Sequence, residues 1–293
     1  MNSKLRTVIL VLCSLVFVGC LATVVVFRLP YWTGRRAYQG ASQRYTAQND
    51  IPAASAAPTA AAADQSAASA GAEEAEEPGG SPEYAVHSEK VAPDVSNRQT
   101  AAPIKVDFKM LQEINPDIIG WIYCEGTQID YPVLLGATNA TYLHTLYTGE
   151  THPAGSIFVD AANLRGFLDN NTIVYGHHMA DESMFGNLED WRDQEYFDAH
   201  PCMWLLTPEQ DYRVDLFSAY LVSATHDTYT IFRGTGPELT AYLQRVRNDS
   251  AVESSVELDP LGRYVLLSTC AYSVYDDARS VVHGKLVPVD RAG

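Results

Sequence analysis

The chain has 293 residues, with 36 acidic against 20 basic ones and a formal charge of −16. Nearly all of that excess lies in residues 105–293, which hold 27 Asp and Glu and 12 Lys and Arg, a difference of −15. A nucleic-acid partner needs a basic face, so this balance argues against one; five Cys with no pair at short spacing argue against a structural zinc site.

Residues 1–6 are a short N-terminus carrying Lys4 and Arg6. From Thr7 to Phe27 the chain is apolar apart from Thr7, Ser14, Gly19 and Thr23. About twenty such residues span ~30 Å of hydrocarbon as a helix, so residues 7–29 read as a transmembrane anchor. Phe17-Val18-Gly19-Cys20 is similar to a lipidation box, but the apolar run continues through Phe27 and is long for a cleaved signal. Residues 30–104 read as a linker. From Asp50 to Ala102 it is mostly Ala, Glu, Pro, Ser and Gly, with almost no large apolar side chain. Such a stretch cannot form a core and reads as a disordered tether that spaces the next domain from the membrane.

Residues 105–293 read as one domain. Val106 to Asn115 suggests a short helix closed by Pro116. Short apolar segments separated by turn residues then follow at 120–123, 128–135, 156–160, 171–175, 203–207, 212–225, 263–268 and 280–289. That spacing predicts a mainly β fold, an antiparallel barrel or sandwich. Two helices interrupt it, Ser183–Trp191 and Pro237–Arg247. In the second, Leu239, Tyr242, Leu243 and Val246 recur at helical spacing, so one face packs on the sheet. Cys124 and Cys202 read as small buried apolar residues; a disulfide between them would need a particular Cα separation.

The chemistry gathers near the C-terminus. Tyr264 to Leu267 is rich in β-formers, and Cys270 follows. Arg279 then precedes Ser280-Val281-Val282-His283, a second strand. If the two strands pair, the thiol and the guanidinium share one end of a sheet. A thiol becomes a nucleophile beside a base or a positive group, and an Arg can stabilise the oxyanion that its attack creates. His177 supplies the base: Thr172 to Tyr175 reads as a buried strand and Gly176 breaks it. His178 is the neighbour that must point the other way, because side chains alternate along a strand. His226 and His283 read as ordinary sheet or loop residues, and Met184-Phe185 as an anchor into the core.

Tyr175-Gly176-His177-His178-Met179, then Ser183-Met184-Phe185-Gly186, then Leu267-Ser268-Thr269-Cys270 and Arg279, resemble the class B sortases. So do Gly120-Trp121-Ile122, the run Gly126 to Val133, Tyr142-Leu143 and the run Gly155 to Asp160, all in family order. The resemblance covers Phe108 to Val289; Leu266 stands where sortases usually carry Thr. It implies an eight-stranded sortase barrel with peripheral helices, preceded by the transmembrane helix and linker, and a cysteine transpeptidase. His177, Cys270 and Arg279 would be catalytic. Ser268 and Thr269 would line the floor of a peptide groove, with Tyr229 and Ile231 in its wall. No cofactor or metal is implied. The implied partners are surface proteins with a C-terminal sorting motif of the Asn/Ser-Pro-x-Thr type, and a peptidoglycan-precursor or pilin amine as acceptor. Arg28, Arg35, Arg36 and Arg44 follow the apolar run, so the positive-inside count does not place the N-terminus inside. The resemblance does, with the catalytic domain facing outward. A hydrolytic cysteine peptidase and a non-catalytic binding module on the same fold are the alternatives.

Overall fold

The computed structural model describes residues 3–48, 101–270 and 277–291, with the side chains of residues 3–11, 21, 26, 27, 30 and 270 outside that description. Most of the stretch read as a tether therefore lies outside the described residues. Ten strands and four α-helices are described. α1 is Ser3–Tyr45, β1 Thr46–Gln48, β2 Ile104–Val106 and α2 Phe108–Ile114. β3 is Ile118–Tyr123, β4 Asp130–Leu134, β5 Ile157–Val159 and β6 Asn171–Tyr175. α3 is Gln194–Ala199, β7 Cys202–Leu206, β8 Asp211–Ser223, α4 Pro237–Asn248, β9 Arg263–Cys270 and β10 Ala278–Val289.

Strands β3 to β10 close into an eight-stranded barrel in the order β10-β8-β7-β3-β4-β5-β6-β9. Closure leaves no sheet edge to pair with another chain. Most neighbours are antiparallel, but β4–β5 and β6–β9 are parallel. Alternation sorts the side chains of the wall. Val174, Val265, Leu267 and Val282 point into the main core, which also buries Trp121, Ile122 and Leu205. Ile173, Tyr264, Leu266 and Val281 point outward and are covered by Leu239, Tyr242, Leu243 and Val246 of α4. Burying one such side chain contributes on the order of 2 kcal/mol, so the amphipathic stripe of α4 is what holds it on this wall.

Several elements differ from the sequence expectation. The first domain helix runs Phe108–Ile114, because the Asp107 carboxylate caps it by accepting from Met110 N at 2.9 Å. Residues 183–191 are not an α-helix. Glu182 and Met184 have φ of 64° and 58°, in the left-handed region that an α-helix cannot use, and only Leu188–Arg192 forms a 3-10 helix. Cys124 and Cys202 do not bond to each other; the Cys124 thiol approaches the Cys202 carbonyl at 3.7 Å, and burial pushes its pKa up to about 12.

The largest difference lies at the N-terminus. The apolar run does not give way to a linker at residue 30, since α1 continues to Tyr45. Its last turns lie on the barrel through Gly34, Tyr38, Ala41 and Tyr45, all buried. The Tyr38 hydroxyl donates to the Gly155 carbonyl, and Ser42 donates to Asp130, which also accepts from Trp121 Nε1 at 2.8 Å. β1 then pairs with β2, Gln48 against Ile104. Gln48 and Ile104, which flank residues 49–103 in the chain, are therefore neighbours. The connection from the apolar run to the barrel is α1 itself. Among the described residues no helix is long and apolar enough to cross a membrane. The run from Thr7 to Phe27 includes side chains outside the description.

Candidate active site

Three backbone registers build the site. β9 and β10 form the expected hairpin, with Arg279 directly opposite Cys270. The ladder therefore sets backbone positions 270 and 279 side by side at the end of the hairpin. β6 runs parallel to β9 with Tyr175 beside Ser268, and the Gly176 amide donates to the Ser268 carbonyl at 3.1 Å. His177 follows two residues after Tyr175, just past the end of β6. The backbone thus brings positions 177, 270 and 279 to the same end of the neighbouring strands β6, β9 and β10. On these strands Ile173, Leu266 and Val281 face the outer wall, toward α4.

Local chemistry fixes His177. A Cβ on Gly176 would meet Ile157 Cδ1 at 2.5 Å and Phe185 Cδ2 at 2.6 Å, so only Gly lets the chain turn here against the core. The Phe185 amide donates to the His177 carbonyl at 3.0 Å, which gives Phe185 the anchoring role expected of it. The His177 ring is half-buried, and its Nε2 lies 2.6 Å from the Leu143 carbonyl. A carbonyl only accepts, so Nε2 carries the proton and Nδ1 is the nitrogen left to exchange one. Leu143 reaches this place because Gly155, at φ 54°, has no side chain; a Cβ there would sit 2.3 Å from the Leu143 oxygen. Burial pulls the His177 pKa below its ordinary value, the Leu143 hydrogen bond raises it, and the charge of His144 lowers it further. His178 looks elsewhere: its charge acts on Asp190, and its backbone bridges to Met184.

Arg279 is half-buried, and its Nη1 donates to the Ala278 carbonyl at 2.9 Å. Tyr229 Oη and Ser268 Oγ lie 2.9 Å apart, with Ser268 buried. Ile231 is half-buried against the α4 side of the wall. Thr269 does not join them. It is 3% exposed and pairs with Ser280, on the face of β9 opposite to Leu266. Its side chain cannot line a groove on the outer wall, for the same alternation that separates His177 from His178. Among the described residues, no group of three or more His, Cys, Asp or Glu is placed to hold a metal ion. Sequence reasoning missed the Leu143 carbonyl, His144 and Gly155. Tyr142-Leu143 and Gly155 stood out as motifs, but a backbone acceptor leaves no trace in residue type.

A closed eight-stranded barrel that brings a Cys, a His and an Arg position to one end of three neighbouring strands is compatible with a cysteine transpeptidase of the sortase class. No family model matches the chain. Relatives and solved structures do. The chain is 38% identical over 198 residues to the sortase B of Listeria monocytogenes serovar 1/2a, covering 66% of this chain and 79% of that protein. It is 37% identical over 190 residues to the sortase B of Staphylococcus aureus, covering 64% and 77%. A Staphylococcus aureus sortase B–substrate complex matches with a TM-score of 0.59 at 34% identity, over 62% of this chain and 85% of that one. The Clostridium perfringens sortase B structure matches with a TM-score of 0.59 at 32% identity, over 62% and 100%. The chain belongs to the sortase B family and is a sortase cysteine transpeptidase.

Proposed function

We propose that this sortase is held in the membrane by the apolar part of α1, faces outward, and joins surface proteins to a cell-surface amine. Its substrates would carry a C-terminal motif of the Asn/Ser-Pro-x-Thr type; its acceptor would be an amine of a peptidoglycan precursor or a pilin Lys. The observation that supports the chemistry is the pairing of β6, β9 and β10, which brings positions 177, 270 and 279 to one end of neighbouring strands. The Cys270 thiolate attacks a backbone carbonyl of the motif. Arg279 and backbone N–H groups hold the oxyanion. As the C–N bond breaks, the His177 imidazolium gives its proton to the departing amine. The acyl group is left as a thioester on Cys270. The acceptor amine then adds to that carbonyl, His177 takes its proton, and the C–S bond breaks to return the thiolate. Tyr229 and Ile231 form the wall that positions the peptide, with the buried Ser268 holding Tyr229 in place from beneath.

Membrane attachment is supported by the surface of α1, where Leu15, Val16, Phe17 and Val18 are each more than 60% exposed. A run of large apolar side chains left open to solvent needs a cover, and a bilayer covers a helix of this length. The test of function is a sorting peptide mixed with the protein and an amine, with products weighed by mass spectrometry. Transfer product supports the proposal. Hydrolysis alone, at every amine concentration, replaces it with a surface peptidase, and no cleavage replaces it with a binding module. Cys270→Ala must abolish both products; release at a wild-type rate would remove the nucleophile assignment.

A further inference from the structure

Beside His177 lies a second imidazole that the mechanism above does not use. The rings of His144 and His177 stack with centroids 5.3 Å apart and planes within 16°. We propose that His144 is a positioning residue for His177, fixing the plane of the general acid while the Leu143 carbonyl fixes its Nε2. The inference rests on the proposed role of His177 and adds a residue to it.

The geometry supports this in three ways. First, one hydrogen bond fixes one atom. Held by Nε2 alone, the His177 ring can still swing about that contact and carry Nδ1 away from the reacting groups. A flat partner against its face removes that freedom. Second, the two restraints come from consecutive residues, Leu143 and His144, so they move as one body. Third, that body is itself held. The His144 carbonyl accepts from His152 N at 2.9 Å, Thr145 bridges to Thr151, and the Leu146 amide donates to the Glu150 carbonyl at 2.8 Å. The Tyr142 carbonyl accepts from Ser156 N at 3.0 Å, just before β5. The segment is a closed turn braced on the barrel, although His144 itself is exposed.

The ionisable groups near this end of the barrel include His178 beside His177, Tyr175 and Asp160, which hydrogen-bond to each other, Cys270 on β9 and Arg279 on β10. Among the described groups, the charge that acts on the His177 ring is that of His144, which opposes protonation of His177. Two substitutions separate plane from charge. His144→Phe keeps a flat ring and removes the titrating group; His144→Ala removes both.

The test pairs peptide-cleavage kinetics against pH with NMR titration of the His177 ring in all three proteins. For His144→Ala we expect kcat to fall about tenfold, the order that a misplaced catalytic group costs, with little change in KM. For His144→Phe we expect kcat within about threefold of wild type. In that variant the His177 titration midpoint and the alkaline limb of the rate profile should both move to higher pH. Equal losses of kcat in the two variants, or a wild-type kcat in His144→Ala, overturn the positioning role. An unmoved His177 midpoint in His144→Phe overturns the charge coupling. The ring titration does not depend on turnover, so an inactive wild-type protein would count against the proposed function while leaving the effect of His144 on His177 measurable.

Discussion

His177 and His178 are adjacent, yet the fold separates them. One leans on the Leu143 carbonyl, and the other acts on Asp190. His177→Ala should therefore lose activity by a hundredfold or more, the order expected for a general acid, while His178→Ala keeps most of it. Comparable losses in two folded variants would remove the distinction. Arg279 makes a second test. Lys keeps the cation but lacks the planar fork that can hold an oxyanion and the Ala278 carbonyl in fixed geometry. Arg279→Lys should lower kcat by roughly a hundredfold with a modest change in KM. Turnover near wild type at both low and high salt would take Arg279 out of the catalytic set. These three residues were legible in the sequence because each stands at the end of an apolar run. Thr269 was legible too, had alternation been applied to it as it was to the two His. The backbone acceptor at Leu143 was not, since it depends on how far a loop folds back over Gly155.

Among the elements, β6, β10, α4 and the segment that precedes α4 are joined by a buried polar network. His283 of β10 is fully buried, with Nε2 3.0 Å from Tyr242 Oη and its ring stacked on Tyr220. Tyr242 donates to the Thr228 carbonyl at 2.8 Å, next to Tyr229, and Asn171 Nδ2 donates to the Thr230 carbonyl at 2.7 Å. His283 is thus more than an ordinary sheet residue. Burial holds its pKa down to about 3, with Arg245 lowering it further. The folded state keeps this ring neutral, whereas the unfolded chain binds a proton below about pH 6.5. Stability must therefore fall as pH drops from about 6.5 toward about 3, by roughly 2 kcal/mol between 6.5 and 4.5. His283→Gln should be less stable than wild type at pH 7, and the gap in Tm should narrow by pH 4.5. A constant gap would show that His283 is not the titrating group. Strands such as β8 and β9 could be read from their apolar patterns, because burial dictates those. α3 is six residues long and capped by Asp193. It escaped notice because so short a helix takes its stability from packing rather than from any pattern of its own. The false helix at 183–191 had the right composition and failed on backbone geometry at Glu182 and Met184.

At the scale of the molecule, the barrel is completed from outside by residues 34–45. Gly34, Tyr38, Ala41 and Tyr45 repeat at intervals of four, three and four, a helical stripe that was present in the sequence but masked by Pro30, by two Gly and by the polar residues between them. A chain beginning at Ala102 would lose that stripe and uncover Tyr131 and Tyr147, which ring-pack with Tyr38. Its Tm should drop by roughly 10 °C, taking about 2 kcal/mol for each of two buried Tyr. A chain beginning at Leu29, with residues 51–98 replaced by a short turn, should keep the full Tm, since the two ends of that segment already meet at Gln48 and Ile104. Equal Tm values for the two shortened proteins would show that α1 is dispensable.

The continuity of α1 sets a length scale. Phe27, the last residue of the apolar run, and Tyr38, the first side chain buried on the barrel, lie eleven residues apart on one helix. At 1.5 Å per residue that is about 16 Å. On the membrane reading proposed above, the enzyme is mounted on a short stiff mast and does not swing on a long leash. Its groove would patrol a thin layer just above the lipid headgroups, and a substrate would have to present its motif inside that layer. Reach, in this design, belongs to the substrate: lengthening the spacer between a substrate's motif and its own membrane segment should cut the sorting rate on vesicles, whereas the same peptides free in solution should be cleaved alike.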